Sequence, residues 1–179
     1  MSVSFRLSLW AVLLLTVAAC QKDKKITTVT PPPAETTTGS VVFNFNATAN
    51  NRTLHADTAW YTDAVGDRFT VSEFNYFVTN IRLIRDDASV FVEPESYHII
   101  RHIEGLTTLT ISGVPEGTYT GIEFLLGVDS VRNSSGAQTG ALDVSGNSQG
   151  MFWTWQIGYI FFKLEGYFTS TNFPTATEY

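Results

Sequence analysis

From Val41 onward, apolar and polar positions alternate with a period of two, the spacing of strands that bury one face. Val41, Phe43 and Phe45 share a side, with Asn44 and Asn46 on the other. Aromatic and β-branched residues crowd Phe69–Val71 and Phe74–Ile84, and shorter runs follow at Val90–Val92, Tyr97–Ile100 and Leu106–Ile111. Val114-Pro115-Glu116-Gly117 predicts a tight turn, because Pro presets φ and Gly accepts a positive one. Thr118–Val128 alternates again and places Thr120, Ile122, Phe124, Leu126 and Val128 on one face. A polar, Gly-rich loop is expected from Asn133 to Ser148, and Met151–Phe168 is the most aromatic stretch of the chain. Many short strands separated by turn signals, with no capped helical period, predict an all-β fold, an antiparallel β-sandwich.

The segment before Val41 follows a different pattern. Arg6 precedes an apolar run from Leu7 to Ala19, too short for a membrane span of about 20 residues. The run ends Val17-Ala18-Ala19-Cys20, which resembles the lipobox of bacterial lipoproteins. By that resemblance residues 1–19 are an export signal and Cys20 carries lipid, so the membrane is a partner through the anchor. Gln21, not Asp, follows the cysteine and favours sorting to the outer membrane, facing the periplasm or the cell surface. Residues 20–40 are rich in Thr and Pro and form an extended tether. The sandwich domain is then 41–179.

Composition narrows the function. Hydrophobic residues make up 44% of the 179 and charged residues 16%, enough to fill a core and against wholesale disorder. The net charge of −6, without a basic stripe, excludes nucleic acid as a partner. Cys20 is the single cysteine, so no disulfide closes within the chain.

The chemistry-bearing side chains are few. The three histidines are His55, His98 and His102. On a strand, His98 and His102 would lie about 13 Å apart, too far to share a metal unless the chain bends at Arg101. The acidic pairs Asp86-Asp87 and Glu93/Glu95 fit turns and edges. No nucleophile elbow, phosphate loop or ordered triad is present, so no enzymatic activity is expected. Trp153 and Trp155, two residues apart, point to one face of a strand, where core packing is the better expectation. Tyr159, Phe161, Lys163 and Glu165 share a face further on, and Gly150, Gly158 and Gly166 mark bulges or close backbone approaches.

The run Gly150-Met151-Phe152-Trp153-Thr154-Trp155-Gln156-Ile157-Gly158-Tyr159-Ile160-Phe161-Phe162-Lys163-Leu164-Glu165-Gly166 closely resembles the signature of MbnP-like proteins, a copper-binding family associated with methanobactin. Further pieces match in order: Asn80-Ile81-Arg82-Leu83, Ser96-Tyr97-His98-Ile99-Ile100, Pro115-Glu116-Gly117-Thr118-Tyr119, and Gly127-Val128-Asp129-Ser130-Val131-Arg132-Asn133. Gly136-Ala137-Gln138-Thr139-Gly140-Ala141-Leu142-Asp143 then precedes the tryptophans.

The resemblance implies a secreted sandwich that binds copper after a di-haem partner enzyme oxidises a tryptophan to kynurenine. Trp153 or Trp155 is then the oxidised residue, with Met151, Tyr159 and Glu165 as motif neighbours. His55 and His98 are the imidazoles available to the metal, since Asn46 stands where some members carry histidine. The family continues past the Glu-Gly with a histidine-bearing strand. The expectation here is a sandwich incomplete at its C-terminus, with a ligand beyond Tyr179. A reading of a different class is a surface adhesion or carbohydrate-binding module, with the aromatic strand as a stacking platform. Exposure of Trp153 and Trp155 separates the two from a buried pair.

Overall fold

The computed structural model describes residues 37–56, 59–170, 173–175 and 177–179. The expected export signal, the lipidated Cys20 and the tether up to residue 36 lie outside the described residues. No helix among the described residues is long and apolar enough to cross a membrane.

In chain order the strands are β1 (Thr38–Asn44), β2 (Thr48–Ala49), β3 (Arg52–Thr53), β4 (Tyr61–Thr62), β5 (Arg68–Phe69), β6 (Glu73–Arg85), β7 (Val90–Val92) and β8 (Tyr97–Arg101). Then come β9 (Thr108–Pro115), β10 (Tyr119–Leu126), the short helix α1 (Ser130–Asn133) and a 3-10 turn at Gly140–Leu142. The chain closes with β11 (Phe152–Thr154), β12 (Gly158–Tyr159), β13 (Phe162–Glu165), β14 (Tyr167–Thr169) and β15 (Thr177–Glu178). The named strand pairs are antiparallel, and the all-β sandwich expected from the alternation is the architecture observed.

The 13-residue β6 organises the fold. Along one side it pairs with β13 and then β10, and along the other with β8 and then β7. Its buried face changes parity midway. Tyr76 and Val78, then Ile81 and Leu83, all pack into one core with Ile100, Leu109, Ile111 and Val114. Asn80, one of five non-glycine residues with positive φ among the described residues (φ +55), inserts the extra residue that permits this. The register against β10 shifts between Glu123 and Leu125 at the same place. The β1–β9 ribbon covers this face through Val41, Phe43 and Phe45. β1 starts at Thr38, ahead of the expected domain start at Val41, because Thr38 already pairs with Pro115.

The opposite face of β6 presents Phe77 to a second core of Val128, Leu142, Met151 and Tyr159. This core lies under the polar loop and the tryptophan motif, and it positions the site described below.

Two expectations change. Ile122, Phe124 and Leu126 of β10 are 39–50% exposed, on a strand at the edge of its sheet. The tail Phe168–Tyr179, rich in small polar residues, reads from its sequence as a loop and not a closing strand, yet it contains strand β15 paired with β14. Phe168 packs edge-on to Phe173 and Tyr179, and the Tyr179 hydroxyl donates to the Thr70 carbonyl at 2.7 Å. Aromatic contacts thus hold a segment whose small polar residues gave no strand signal.

Candidate functional site

The tryptophan motif is a hairpin, not one continuous strand. β11 and β12 pair Phe152 with Tyr159 and Thr154 with Gly158. The Ile157 N–H donates to the Thr154 carbonyl at 3.1 Å and closes the turn. Both ends of the hairpin are buried. Met151 has no exposed surface, and Tyr159 is 4% exposed with its hydroxyl donating to the Leu142 carbonyl. The Tyr159 ring meets Phe77 edge-on at 5.6 Å and Phe152 at 5.1 Å. Burial, with the Asp143 charge adding to it, pushes the Tyr159 phenol above its ordinary value, so it stays a hydrogen-bond donor.

Asn133, the last residue of α1, clamps the hairpin. Its Oδ1 accepts from the Tyr159 N–H at 2.8 Å, and its Nδ2 donates to the Ile157 carbonyl at 3.2 Å. The helix that carries it starts on Asp129, whose Oδ1 accepts from the Val131 and Arg132 amides at 3.1 Å. Asp129 Oδ2 accepts from the Tyr97 hydroxyl and from Asn80 Nδ2. Burial alone would raise the Asp129 carboxyl, but these hydrogen bonds outweigh it and hold it below its ordinary value. The Gly127–Asn133 run therefore serves as a bracket for the hairpin.

The tip between the clamped ends is uncovered. Trp153 is 66% exposed and Trp155 59%, with Ile157 beside them. The expectation that the two tryptophans pack in the core is corrected. β11 ends at Thr154, so Trp155 lies in the turn, and Met151 and Tyr159 already fill the buried positions. Trp155 has one aromatic support, Phe152, at 4.8 Å and 60°. The shared face expected for Tyr159, Phe161, Lys163 and Glu165 is also interrupted. Tyr159 is buried, Phe161 is exposed, and the alternation restarts in β13. There Lys163 Nζ lies 2.6 Å from Glu73 and 3.4 Å from Glu165.

The two histidines expected as ligands are not brought together with the tip in any donor cluster. His55 is exposed in the loop after β3, where its backbone N–H donates to the Tyr61 hydroxyl at 2.8 Å. His98, on β8, lies 2.8 Å from Glu93 Oε2, an oxygen that also accepts from Ser96 Oγ at 2.5 Å. Among the described residues, no three His, Cys, Asp or Glu side chains converge as metal ligands. The donor set described does not fit a ready-made copper centre.

Sequence reasoning passed over His102. Its Nε2 lies 3.1 Å from the Tyr76 hydroxyl, and its ring stacks on Phe74 at 4.6 Å and 12°. Burial lowers the His102 pKa from its ordinary value and raises that of Tyr76. The bend after Arg101 frees His102 from the strand geometry that made it look isolated. A signal was present in the sequence: Phe74 and Tyr76 share a face of the strongest strand, and an apolar pair of that kind needs a cover.

Residues 38–178 match the MbnP family. In fold the chain is similar to MbnP from Methylosinus trichosporium, with a TM-score of 0.54 and 15% identity, over 79% of this chain and 60% of that one. At this identity the likeness concerns the fold alone, and the chain spans about 60% of the length of that structure. No curated protein matches the sequence.

Proposed function

The chain belongs to the MbnP family, and from that premise we propose that it is a lipid-anchored, extracytoplasmic protein of the outer membrane that binds copper and is not an enzyme. Membership of a methanobactin-associated family is consistent with metal handling in general. The observation that carries the reading is the exposure of Trp153 and Trp155 on a hairpin whose two ends are buried and clamped. A partner oxidant, by family resemblance a di-haem enzyme, can reach an indole held in this way without unfolding the domain.

Oxidation to kynurenine is a net gain of one oxygen and loss of one carbon. It would add an aromatic amine and a ketone at a position where the indole offers only an N–H donor, beside the exposed Thr154 hydroxyl and Gln156 amide. The experiment is peptide mass spectrometry, with metal analysis, on the full-length protein from its native host. The expected result is the kynurenine mass change on Trp153 or Trp155 with copper retained. Unmodified tryptophans and no copper would overturn the reading.

The same exposure favours a second reading, a carbohydrate-binding or adhesion module. Two exposed indoles on an uncharged tip suit stacking on sugar rings. Retention on a glycan array that is lost in a Trp153→Ala/Trp155→Ala variant, with no metal bound, would select it.

A further inference from the structure

Away from the tryptophan hairpin, a cavity of about 440 Å³ opens between the β2–β3 hairpin, the first half of β6 and β13. Its size falls within the range of small-molecule pockets, roughly 300–1,000 Å³. The wall is built from rings in van der Waals contact. Phe74 stacks on His102 at 4.6 Å, Tyr76 lies nearly parallel to Phe162 at 6.0 Å and 16°, and Phe162 meets Phe74 edge-on at 5.3 Å. Asn46 and Thr48 stand at the rim and offer an amide and a hydroxyl. Among the described residues, none of the lining side chains is Asp, Glu, Lys or Arg.

We propose that this cleft binds a neutral, planar aromatic or heteroaromatic molecule of one or two fused rings. Each part of that description follows from the wall. Parallel and edge-on rings accept a flat π-system in offset or T-shaped contact. A charged ligand would lose its hydration without meeting an opposite charge. Orientation falls to the imidazole, whose Nε2 is held by Tyr76 and whose Nδ1 has no protein partner among the described residues. Burial keeps that ring neutral, so it can offer either a donor or an acceptor. Phe162 is 47% exposed, which leaves one side of the cleft open for entry.

The test uses indole as the probe, in ligand-observed NMR titrations of the full chain. Saturation transfer to indole is expected, with affinity reduced about tenfold or more in Phe162→Ala, which removes an exposed wall ring. Thr48→Trp, which fills the rim from an exposed position, is expected to act likewise. The tip variant Trp153→Ala/Trp155→Ala is expected to bind within about twofold of the parent. Indole-3-carboxylate, the same ring with a negative charge, is expected to bind more weakly than indole. Absence of indole binding, binding retained in both cleft variants, binding lost in the tip variant, or equal affinity for the carboxylate would each overturn the proposal. Thermal melts of the variants, expected to match the parent, show that a loss of binding is not a loss of fold.

Discussion

The tryptophan hairpin and the His102 cleft are both dense in aromatic rings, yet they use them in opposite ways. At the hairpin the rings that matter for display sit on a convex tip, with Trp153 66% exposed, while Met151 and Tyr159 anchor the ends. At the cleft the rings line a concavity and face one another. The hairpin is fixed by hydrogen bonds to a helix end, through Asn133. The cleft is fixed by ring stacking and by one Tyr–His hydrogen bond. Aromatic content alone therefore does not identify a binding surface. Its curvature, and what holds it, decide whether rings are offered outward or wrapped around a guest.

If the hairpin is a rigid display, its anchors should cost far more to remove than its tip. Met151→Ala deletes a side chain with no exposed surface. The expected loss is about 2–5 kcal/mol of stability, read by urea denaturation. Gly158→Ala comes next. Gly158 has φ +93, and a Cβ there would lie 2.2 Å from Asn133 Oδ1. The strain and the broken clamp together should cost about 2–4 kcal/mol. By contrast, Trp153→Ala/Trp155→Ala should lose no more than about 1 kcal/mol, mainly from the Trp155–Phe152 contact. A tip variant as unstable as Met151→Ala would collapse the distinction between anchor and display.

These contrasts explain what could be read from the chain. The alternation from Val41, the Val114–Gly117 turn and the absence of helical periods gave the all-β sandwich, because the period of two is a local property of each strand. The glycine punctuation was legible at Gly158 and Gly166 but not at Gly150, where a Cβ would meet open space and only the φ of +78 requires glycine. Gly158 faces Asn133, and a Cβ at Gly166 would lie 2.1 Å from the Thr70 carbonyl oxygen. The fate of the tryptophans was not legible in this way. Their spacing placed them on one face only if the strand ran on through Trp155, and it turns at Thr154. For His98 the sequence offered an imidazole but not its neighbour, and Glu93 occupies it. His102 was set aside by a distance that holds for an extended chain, whereas β8 ends at Arg101. In each case the missing information was tertiary: which strand stops, and what covers it.

The smallest expected effect sharpens the comparison from the cleft side. His102 is half-buried against Phe74 and Tyr76, and desolvation lowers its pKa from the ordinary value near 6.5. The unfolded chain then binds more protons than the folded one as pH drops below about 6.5, so stability rises with pH across that window. The contribution is fully present above the unfolded pKa and is lost as pH falls through the lower, folded value. Denaturation midpoints of the parent and of His102→Gln, compared at pH 7.5 and 5.5, isolate this term from the carboxylates common to both. The parent should lose more stability on acidification than His102→Gln, while the tip variant should track the parent. Equal losses in the parent and His102→Gln would mean that the imidazole is solvated in the folded state. The cleft would then be a wet groove, and the contrast with the exposed hairpin would no longer hold.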